Sequence, residues 1–176
     1  MSTSNLAVLG CGNIGSAIAK GLTKSGMTAN NIILTRRKLE SLTELAETGF
    51  QTSIDNPNAV QNAEIILLTV LPSQLMDLLD DISSSLSENH LLISIVSGVS
   101  IAEIQKKVGK DIPIIRAMPN TAAVLCESMT CLSSFPQFAQ GLETAQTLFE
   151  KIGSTLVIDE TQMASATALC ACGVAF

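Results

Sequence analysis

Residues 7–22 read AVLGCGNIGSAIAKGL, and this stretch decides the fold. Three glycines, Gly10, Gly12 and Gly15, follow a short apolar run in the spacing G-x-G-x-x-G. The pattern predicts a strand that turns at Gly10 into a helix over about residues 13–24. Glycines at such positions permit a sharp turn, close approach of a phosphate to the backbone, and tight packing of helix on sheet. A glycine-rich turn without a ligand would show the same letters, so the surrounding sequence must decide.

Strand and helix patterns alternate along the rest of the chain. Short runs rich in Leu, Ile and Val predict strands, and apolar residues three or four apart predict helices between them. The predicted strands are residues 6–9, 31–35, 50–54, 64–70, 90–99, 113–118, 129–134 and 154–159. The predicted helices are residues 13–24, 39–48, 56–63, 73–86, 101–109 and 136–153. This order predicts an α/β fold: a Rossmann-like, doubly wound, mainly parallel sheet with helices on both faces.

The glycine motif therefore stands in the context that dinucleotide binding requires, with a strand before it and a helix after it inside a βαβ unit. Ligands of such folds bind at the carboxyl ends of the strands, where the strand order reverses. Free N–H groups at the helix start, together with the helix dipole, favour a pyrophosphate there. An unliganded turn is the remaining alternative.

The second predicted strand ends in TRRK, residues 35–38. An acidic residue commonly binds the free ribose 2′-hydroxyl of NAD at this position, and none is present. Arg36 and Arg37 offer two guanidinium groups, which pair well with phosphate. We therefore predict a site for the 2′-phosphate of NADP(H), with NAD(H) as the second cofactor. A solvated run of charge at the start of a helix is the structural alternative.

Composition narrows the class of partner. The net charge of −6 disfavours a nucleic-acid surface, and no run of about 18 apolar residues predicts a membrane span. The start of the chain lacks the pattern of a signal peptide, and five cysteines are an odd number. These features predict a cytoplasmic protein with reduced thiols and no metal site.

Three further loops follow predicted strands. TVLP at 69–72 and IVSG at 95–98 are expected beside the nicotinamide ribose, although each also fits an ordinary strand-to-helix turn. MPNT at 118–121 has little evident packing role, and Asn120 and Thr121 are expected to line a small polar pocket; a Pro-Asn turn is the alternative. His90, the single histidine, is expected at the surface and not as a catalytic base.

Taken in order, GCGNIGSAIAKGL, TRR, DNPNAVQNAEIILLTVLP, SIVSGVSIAEI, RAMPNTAAVLCESMT and ATALCACGVAF resemble the pyrroline-5-carboxylate reductases nearly end to end. The resemblance implies reduction of the C=N bond of 1-pyrroline-5-carboxylate to L-proline by NAD(P)H, in proline biosynthesis. It implies that the cofactor contacts Leu9, Gly10, Cys11, Gly12, Asn13, Ile14, Gly15, Thr35, Arg36, Arg37, Asn56, Thr69, Val70, Leu71, Pro72, Ile95, Val96, Ser97 and Gly98. It implies that the substrate lies near Met118, Pro119, Asn120, Thr121, Cys172 and Gly173.

The sequence departs from the family pattern at several positions. Leu71 replaces a usual lysine, Ala122 a usual proline, and CACGVA at 170–175 the usual SGSGPA. The resemblance implies a cofactor domain at 1–159 and, at 160–176, the beginning of a helical domain that dimerises and completes the substrate pocket. We accordingly expect a homo-oligomer for the longer protein, no assigned catalytic residue in this chain, and NADPH binding with poor imine reduction. The alternatives are another NADP-linked reductase of the same plan and a non-catalytic dinucleotide-binding module.

Overall fold

A computed structural model of the chain describes residues 5–172, and for 170–172 the backbone alone. In this part of the chain one eight-stranded sheet has the order β3-β2-β1-β4-β5-β6-β7-β8. Every neighbouring pair is parallel except β6 and β7, which are antiparallel. The strands are β1 (Leu6–Leu9), β2 (Ile32–Thr35), β3 (Gln51–Ser53), β4 (Ile65–Leu68), β5 (Leu91–Ser94), β6 (Ile114–Met118), β7 (Ser128–Ser134) and β8 (Gly153–Val157). The strand order reverses at β1, which lies between β2 and β4, so the predicted doubly wound fold is confirmed.

Helices connect the strands. They are α1 (Asn13–Lys24), α2 (Thr43–Glu47), α3 (Asn56–Gln61), α4 (Pro72–Ile82), α5 (Ile101–Val108), α6 (Ala139–Glu150) and α7 (Met163–Ala166). Helix α1 has the bounds that the sequence predicted, and Gly26, just beyond it, has a positive φ of 103°. A glycine in that conformation ends a helix without the steric cost that a Cβ would add.

The core lies on both faces of the sheet, and β1 shows why. All four of its residues are fully buried. Leu6 and Val8 belong to the apolar cluster under α1, α2 and α6, whereas Ala7 and Leu9 belong to the cluster under α3, α4 and α5. Alternate side chains of a strand face opposite sides, so an uninterrupted apolar strand requires helices on both.

Three local expectations need correction. The segment predicted as one helix at 39–48 begins as a 3-10 turn, Leu39–Leu42, which buries Leu42 and leaves Leu39 exposed. The strand predicted at 90–99 is limited to Leu91–Ser94. His90, which directly precedes this strand, was expected at the surface and is buried; its Nδ1 accepts the backbone N–H of Ser87 at 2.8 Å and closes that turn.

Among residues 5–172 no helix is long and apolar enough to cross a bilayer. The same residues contain no group of three or more His, Cys, Asp or Glu side chains arranged to hold a metal ion.

Candidate cofactor site

The glycine loop between β1 and α1 is fixed by its own geometry. Gly10 has a φ of +81°, and a Cβ added there would lie 2.2 Å from Cγ1 of Val70. The N–H groups of Gly10 and Cys11 both donate to the carbonyl oxygen of Thr35, at 3.1 and 2.8 Å. The turn therefore needs glycine at position 10 and is held against the end of β2.

The other two glycines of the motif have different reasons. A Cβ on Gly15 would lie 3.0 Å from both Cγ1 of Val8 and Oγ1 of Thr69, so this glycine lets α1 lie close on the sheet. A Cβ on Gly12 would meet nothing closer than the carbonyl oxygen of Gly10 at 3.9 Å. Gly12 has φ −102° and ψ −151°, an extended conformation with a negative φ, so no left-handed geometry demands glycine there. The fold itself does not require glycine at position 12.

The start of α1 is open beside Gly12. The first helical bond runs from the N–H of Ser16 to the carbonyl oxygen of Gly12 at 2.9 Å. No side chain caps this helix, and its first turn carries no acidic residue. The N–H groups and the positive end of the helix dipole together make a local site for an anion.

The predicted ribose residues meet at the end of β2. Thr35 is 1% exposed, and its hydroxyl donates to Oδ1 of Asn56 at 2.6 Å. The amide Nδ2 of Asn56 donates in turn to Oδ2 of Asp81 at 3.0 Å. Arg36 and Arg37 follow immediately and are exposed. The Thr35 hydroxyl is thus committed inside the protein, while the two guanidinium groups are open to solvent.

An open pocket of about 250 Å³ lies further along the same edge of the sheet. It combines the start of α1, the end of β5 and the loop after β6. The lining residues are Ile14, Ile95, Ser97, Met118, Pro119, Asn120 and Thr121. Three separate predicted segments therefore come together, and the residues predicted for the cofactor adjoin those predicted for the substrate.

The other predicted residues have different surroundings. The Thr69 hydroxyl donates to the carbonyl oxygen of Leu9 at 2.9 Å, and Val96 packs in the apolar cluster under α3, α4 and α5. Leu71 is 65% exposed just before α4. Gly98 has a φ of +75° and open space around it. The side chain of Cys172 and the whole of Gly173 lie outside the described residues.

The loop after β6 does have a packing role, so that expectation was wrong. Residues Thr121–Leu125 form a 3-10 turn that lies on α1, and a Cβ on Gly21 would come within 2.1 Å of the carbonyl oxygen of Ala123. Asn120 is 8% exposed, and its Oδ1 accepts the backbone N–H of Ala122 at 3.0 Å. The amide of Asn120 therefore shapes the turn as well as bordering the pocket.

Burial governs the chemistry of the cysteine inside the glycine motif. Cys11 is fully buried, and burial raises the pKa of its thiol above the ordinary value of 9.0; a contact with the Ser16 hydroxyl, 3.4 Å away, partly offsets this rise in pKa. The thiol is consequently protonated at neutral pH, which is the unreactive form.

Two charged residues of this region were not predicted from the sequence. Arg116 in β6 is 8% exposed, and its Nη1 donates to Oε1 of Glu160 at 3.2 Å. The same oxygen accepts the N–H of Ile101, at the start of α5, at 2.7 Å. A second open pocket, of about 410 Å³, is lined by both charged residues and also by Ser97. An arginine inside the apolar run PIIRAM was the available signal for Arg116, whereas no local pattern marks Glu160.

Comparison with known proteins identifies relatives of this chain among oxidoreductases. Residues 5–98 match the family described as NADP oxidoreductase, coenzyme F420-dependent. The chain is 45% identical to pyrroline-5-carboxylate reductase 1 of Dictyostelium discoideum, over 98% of this chain and 34% of that protein. It is 40% identical to pyrroline-5-carboxylate reductase 2 of the same organism, over 99% of this chain and 64% of that protein.

Solved structures show the same relationship. A pyrroline-5-carboxylate reductase from Coxiella burnetii superposes with a TM-score of 0.90 at 32% identity, covering 99% of this chain and 66% of that one. Pyrroline carboxylate reductase of Plasmodium falciparum, solved with NADP bound, also gives a TM-score of 0.90, at 26% identity over 99% of this chain and 65% of that one. The chain thus spans roughly one third to two thirds of the length of these proteins. The resemblance to pyrroline-5-carboxylate reductases is confirmed. Because the family match covers more than half of the chain, the chain belongs to the family of NADP oxidoreductases, coenzyme F420-dependent.

Proposed function

We propose that this chain binds NADP(H) for an oxidoreductase that reduces 1-pyrroline-5-carboxylate to L-proline. One observation supports cofactor binding: position 12 has no side chain, although the fold does not need glycine there. A bare backbone beside an uncapped helix start is explained by a ligand that must come close to it. The similarity to named pyrroline-5-carboxylate reductases supports the substrate.

The cofactor would occupy the carboxyl edge of the sheet. The first-turn N–H groups of α1 would hold the pyrophosphate, and Arg36 and Arg37 would hold the 2′-phosphate. Thr35 and Asn56 would act together, because the hydroxyl of Thr35 orients the Asn56 amide. NAD(H), which lacks the 2′-phosphate, would bind more weakly.

The pocket beside Ile14 would hold the cyclic imine. The nicotinamide ring supplies a hydride to the carbon of the C=N bond when the cofactor is bound. Ile14, Ile95 and Met118 would exclude water, and Asn120 and Thr121 would orient the polar atoms of the substrate. No described residue that lines this pocket is a histidine or a carboxylate, so we propose that the imine nitrogen takes its proton from solvent or from a group outside the described part of the chain.

The organisation of the whole protein is also a proposal. Residues 1–159 would form the cofactor domain, and 160–176 would begin a second, helical domain that brings Cys172 and Gly173 to the substrate. The relatives that extend beyond the matched region support a further domain, and we propose that the whole protein is a homo-oligomer. The odd number of cysteines supports a cytoplasmic location.

The experiment that tests the cofactor assignment compares NADPH and NADH binding by fluorescence titration. We expect Arg36→Ala to weaken NADPH at least tenfold and NADH less than twofold, because only NADPH carries the 2′-phosphate. Lys38→Ala, which removes a neighbouring exposed charge, is the matched control. An equal loss of affinity for NADPH and NADH would show that Arg36 does not bind the 2′-phosphate. A parent chain that binds neither cofactor would contradict the proposed function.

A second candidate is a deazaflavin-linked NADP reductase, which the description of the matching family favours. Two assays separate these candidate functions. One supplies the protein with NADPH and the cyclic imine, and the other supplies it with NADP⁺ and a reduced deazaflavin. Oxidation of NADPH by the imine supports the first assignment, and reduction of NADP⁺ by the deazaflavin supports the second.

A further inference from the structure

The pair formed by Arg116 and Glu160 stands apart from the other ion pairs between described residues. The side chains of Lys20 and Glu44 are 43% and 86% exposed, and those of Lys107 and Asp80 are 31% and 65% exposed. Those of Arg116 and Glu160 are 10% and 24% exposed. Burying two charges in this way costs desolvation energy, and apolar residues in their place often stabilise a protein as well or better. Stability alone is therefore a poor reason for this pair.

The position of Glu160 links three elements. One oxygen, Oε1, accepts both from Arg116 in the middle of β6 and from the N–H of Ile101 in the first turn of α5. Glu160 itself begins the turn Glu160–Gln162, which Asp159 caps through a 2.9 Å bond to the N–H of Thr161. Each of these elements adjoins a segment of the proposed site.

The first connection leads to the end of β5. Residues 97–100 join β5 to α5, and Ser97 lines both open pockets. Ser100 caps α5 together with Glu103, and Ile101 is the next residue. By accepting the Ile101 N–H, Glu160 holds the first residue of α5, which follows the turn that carries Ser97.

The second connection leads to the loop after β6. Arg116 and Met118 project from the same face of β6, since they are two residues apart in a strand. Met118 packs with Cys131, Met163 and Ala166 in a small apolar cluster of its own. The segment from Glu160 to Ala166 therefore lies on this face of the sheet, held at one end by the ion pair and further along by Met118. Met118 is also the first residue of the loop that borders the pocket.

We propose that Arg116 and Glu160 are positioning residues of the substrate side: their ion pair sets the spacing between the turn at Ser97 and the loop at Met118. This inference rests on the proposed function. The pair does not serve as an anion site, because Glu103 and Glu160 give the pocket around Arg116 a net negative charge. Its effect is expected on the imine more than on the cofactor, because the groups proposed to hold the phosphates of the cofactor lie at the start of α1 and just after β2.

Glu160→Gln tests the proposal, because it removes the ion pair, weakens both charge-assisted hydrogen bonds to Oε1 and keeps the shape of the side chain. The probe is tetrahydrofuran-2-carboxylate, a ring analogue of the imine, titrated into NADPH-saturated protein. We expect the variant to bind this analogue at least tenfold more weakly and NADPH within twofold of the parent. Glu103→Gln is the matched control: it removes a charge from the same pocket, retains a cap for Ser100, and should bind both ligands normally.

A double variant separates positioning from stability. The double variant Arg116→Met, Glu160→Met replaces the ion pair by apolar groups. We expect its melting temperature to equal that of the parent protein. It cannot accept the Ile101 N–H, so weak analogue binding should persist. Recovery of analogue affinity together with melting temperature would overturn the proposal, as would normal analogue binding by Glu160→Gln. A parent protein that binds NADPH but not the analogue would also overturn it, whereas a parent that fails to bind NADPH contradicts the proposed function itself.

Discussion

Gly12→Ala is the most direct test of the cofactor site, because the added methyl group would not clash with the protein. Beyond the two adjacent residues, its Cβ would meet nothing closer than the carbonyl oxygen of Gly10 at 3.9 Å, and φ at this position is negative. Alanine is a poorer N-cap than glycine by several tenths of a kcal/mol, and the reduced entropy of the unfolded chain offsets about 0.4–1 kcal/mol. We expect the free energy of unfolding to change by less than about 1 kcal/mol.

Cofactor binding should respond very differently. A methyl group at the open helix start keeps a phosphate away from the first-turn N–H groups. Loss of about two charge-assisted hydrogen bonds, at roughly 1.5 kcal/mol each, amounts to about 3 kcal/mol, or about a 100-fold weaker affinity for NADPH. Fluorescence titration gives the affinity, and urea denaturation of the same sample gives the stability.

Gly10→Ala supplies the contrasting control. Its Cβ would lie 2.2 Å from Cγ1 of Val70, at a φ of +81° that alanine rarely adopts. Backbone strain and overpacking together should cost about 2–5 kcal/mol of folding free energy. If Gly12→Ala binds NADPH as the parent does, or loses as much stability as Gly10→Ala, the reasoning from the bare glycine is refuted.

Three further outcomes test the structure around the site. Thr35→Val should lower the free energy of unfolding by about 1–2 kcal/mol in urea titrations, because Oδ1 of Asn56 loses its donor; Thr35→Ser should not, and equal losses would contradict the hydrogen bond. Gly21→Ala should cost about 1–3 kcal/mol by the same method, since its Cβ would meet the Ala123 carbonyl at 2.1 Å, whereas Lys20→Ala in the same helix should be nearly neutral. Burial raises the pKa of the Cys11 thiol, so the folded state keeps a proton that the unfolded state loses above about pH 9. The free energy of unfolding should therefore fall as the pH rises past 9, and it should fall less steeply in Cys11→Ala. Equal pH dependence in the two proteins would contradict the raised pKa.

Sequence patterns were most informative where neighbouring residues settle the structure. The glycine spacing and the apolar run before it were sufficient for β1, the turn and α1, since the chain conformation there depends on a few consecutive residues. Strand lengths were overestimated at β5, because the apolar run continues through Ile95 and Val96 after the ladder with β4 has ended. The same run therefore covers both strand and turn.

The burial of single side chains and the contacts between distant residues were largely beyond prediction. His90 looked like a surface residue, yet its ring accepts a backbone N–H and is buried. The turn at Thr121–Leu125 looked free of packing, yet it lies on α1 over Gly21, about a hundred positions earlier in the chain. The partner of this turn became visible only once the sheet had set the relative positions of the elements.

The sequence alone determined the order of strands and helices, the place of the glycine loop and the charge beside it, because these depend on local conformational preference and on which faces are apolar. Only the tertiary structure decided that Gly12 is dispensable to the fold, that the Thr35 hydroxyl belongs to Asn56, and that Arg116 meets Glu160, 44 positions away. The physical reason is that steric clearance, burial and ion pairing are properties of atoms brought together from separate elements. No periodicity along the chain encodes their distances.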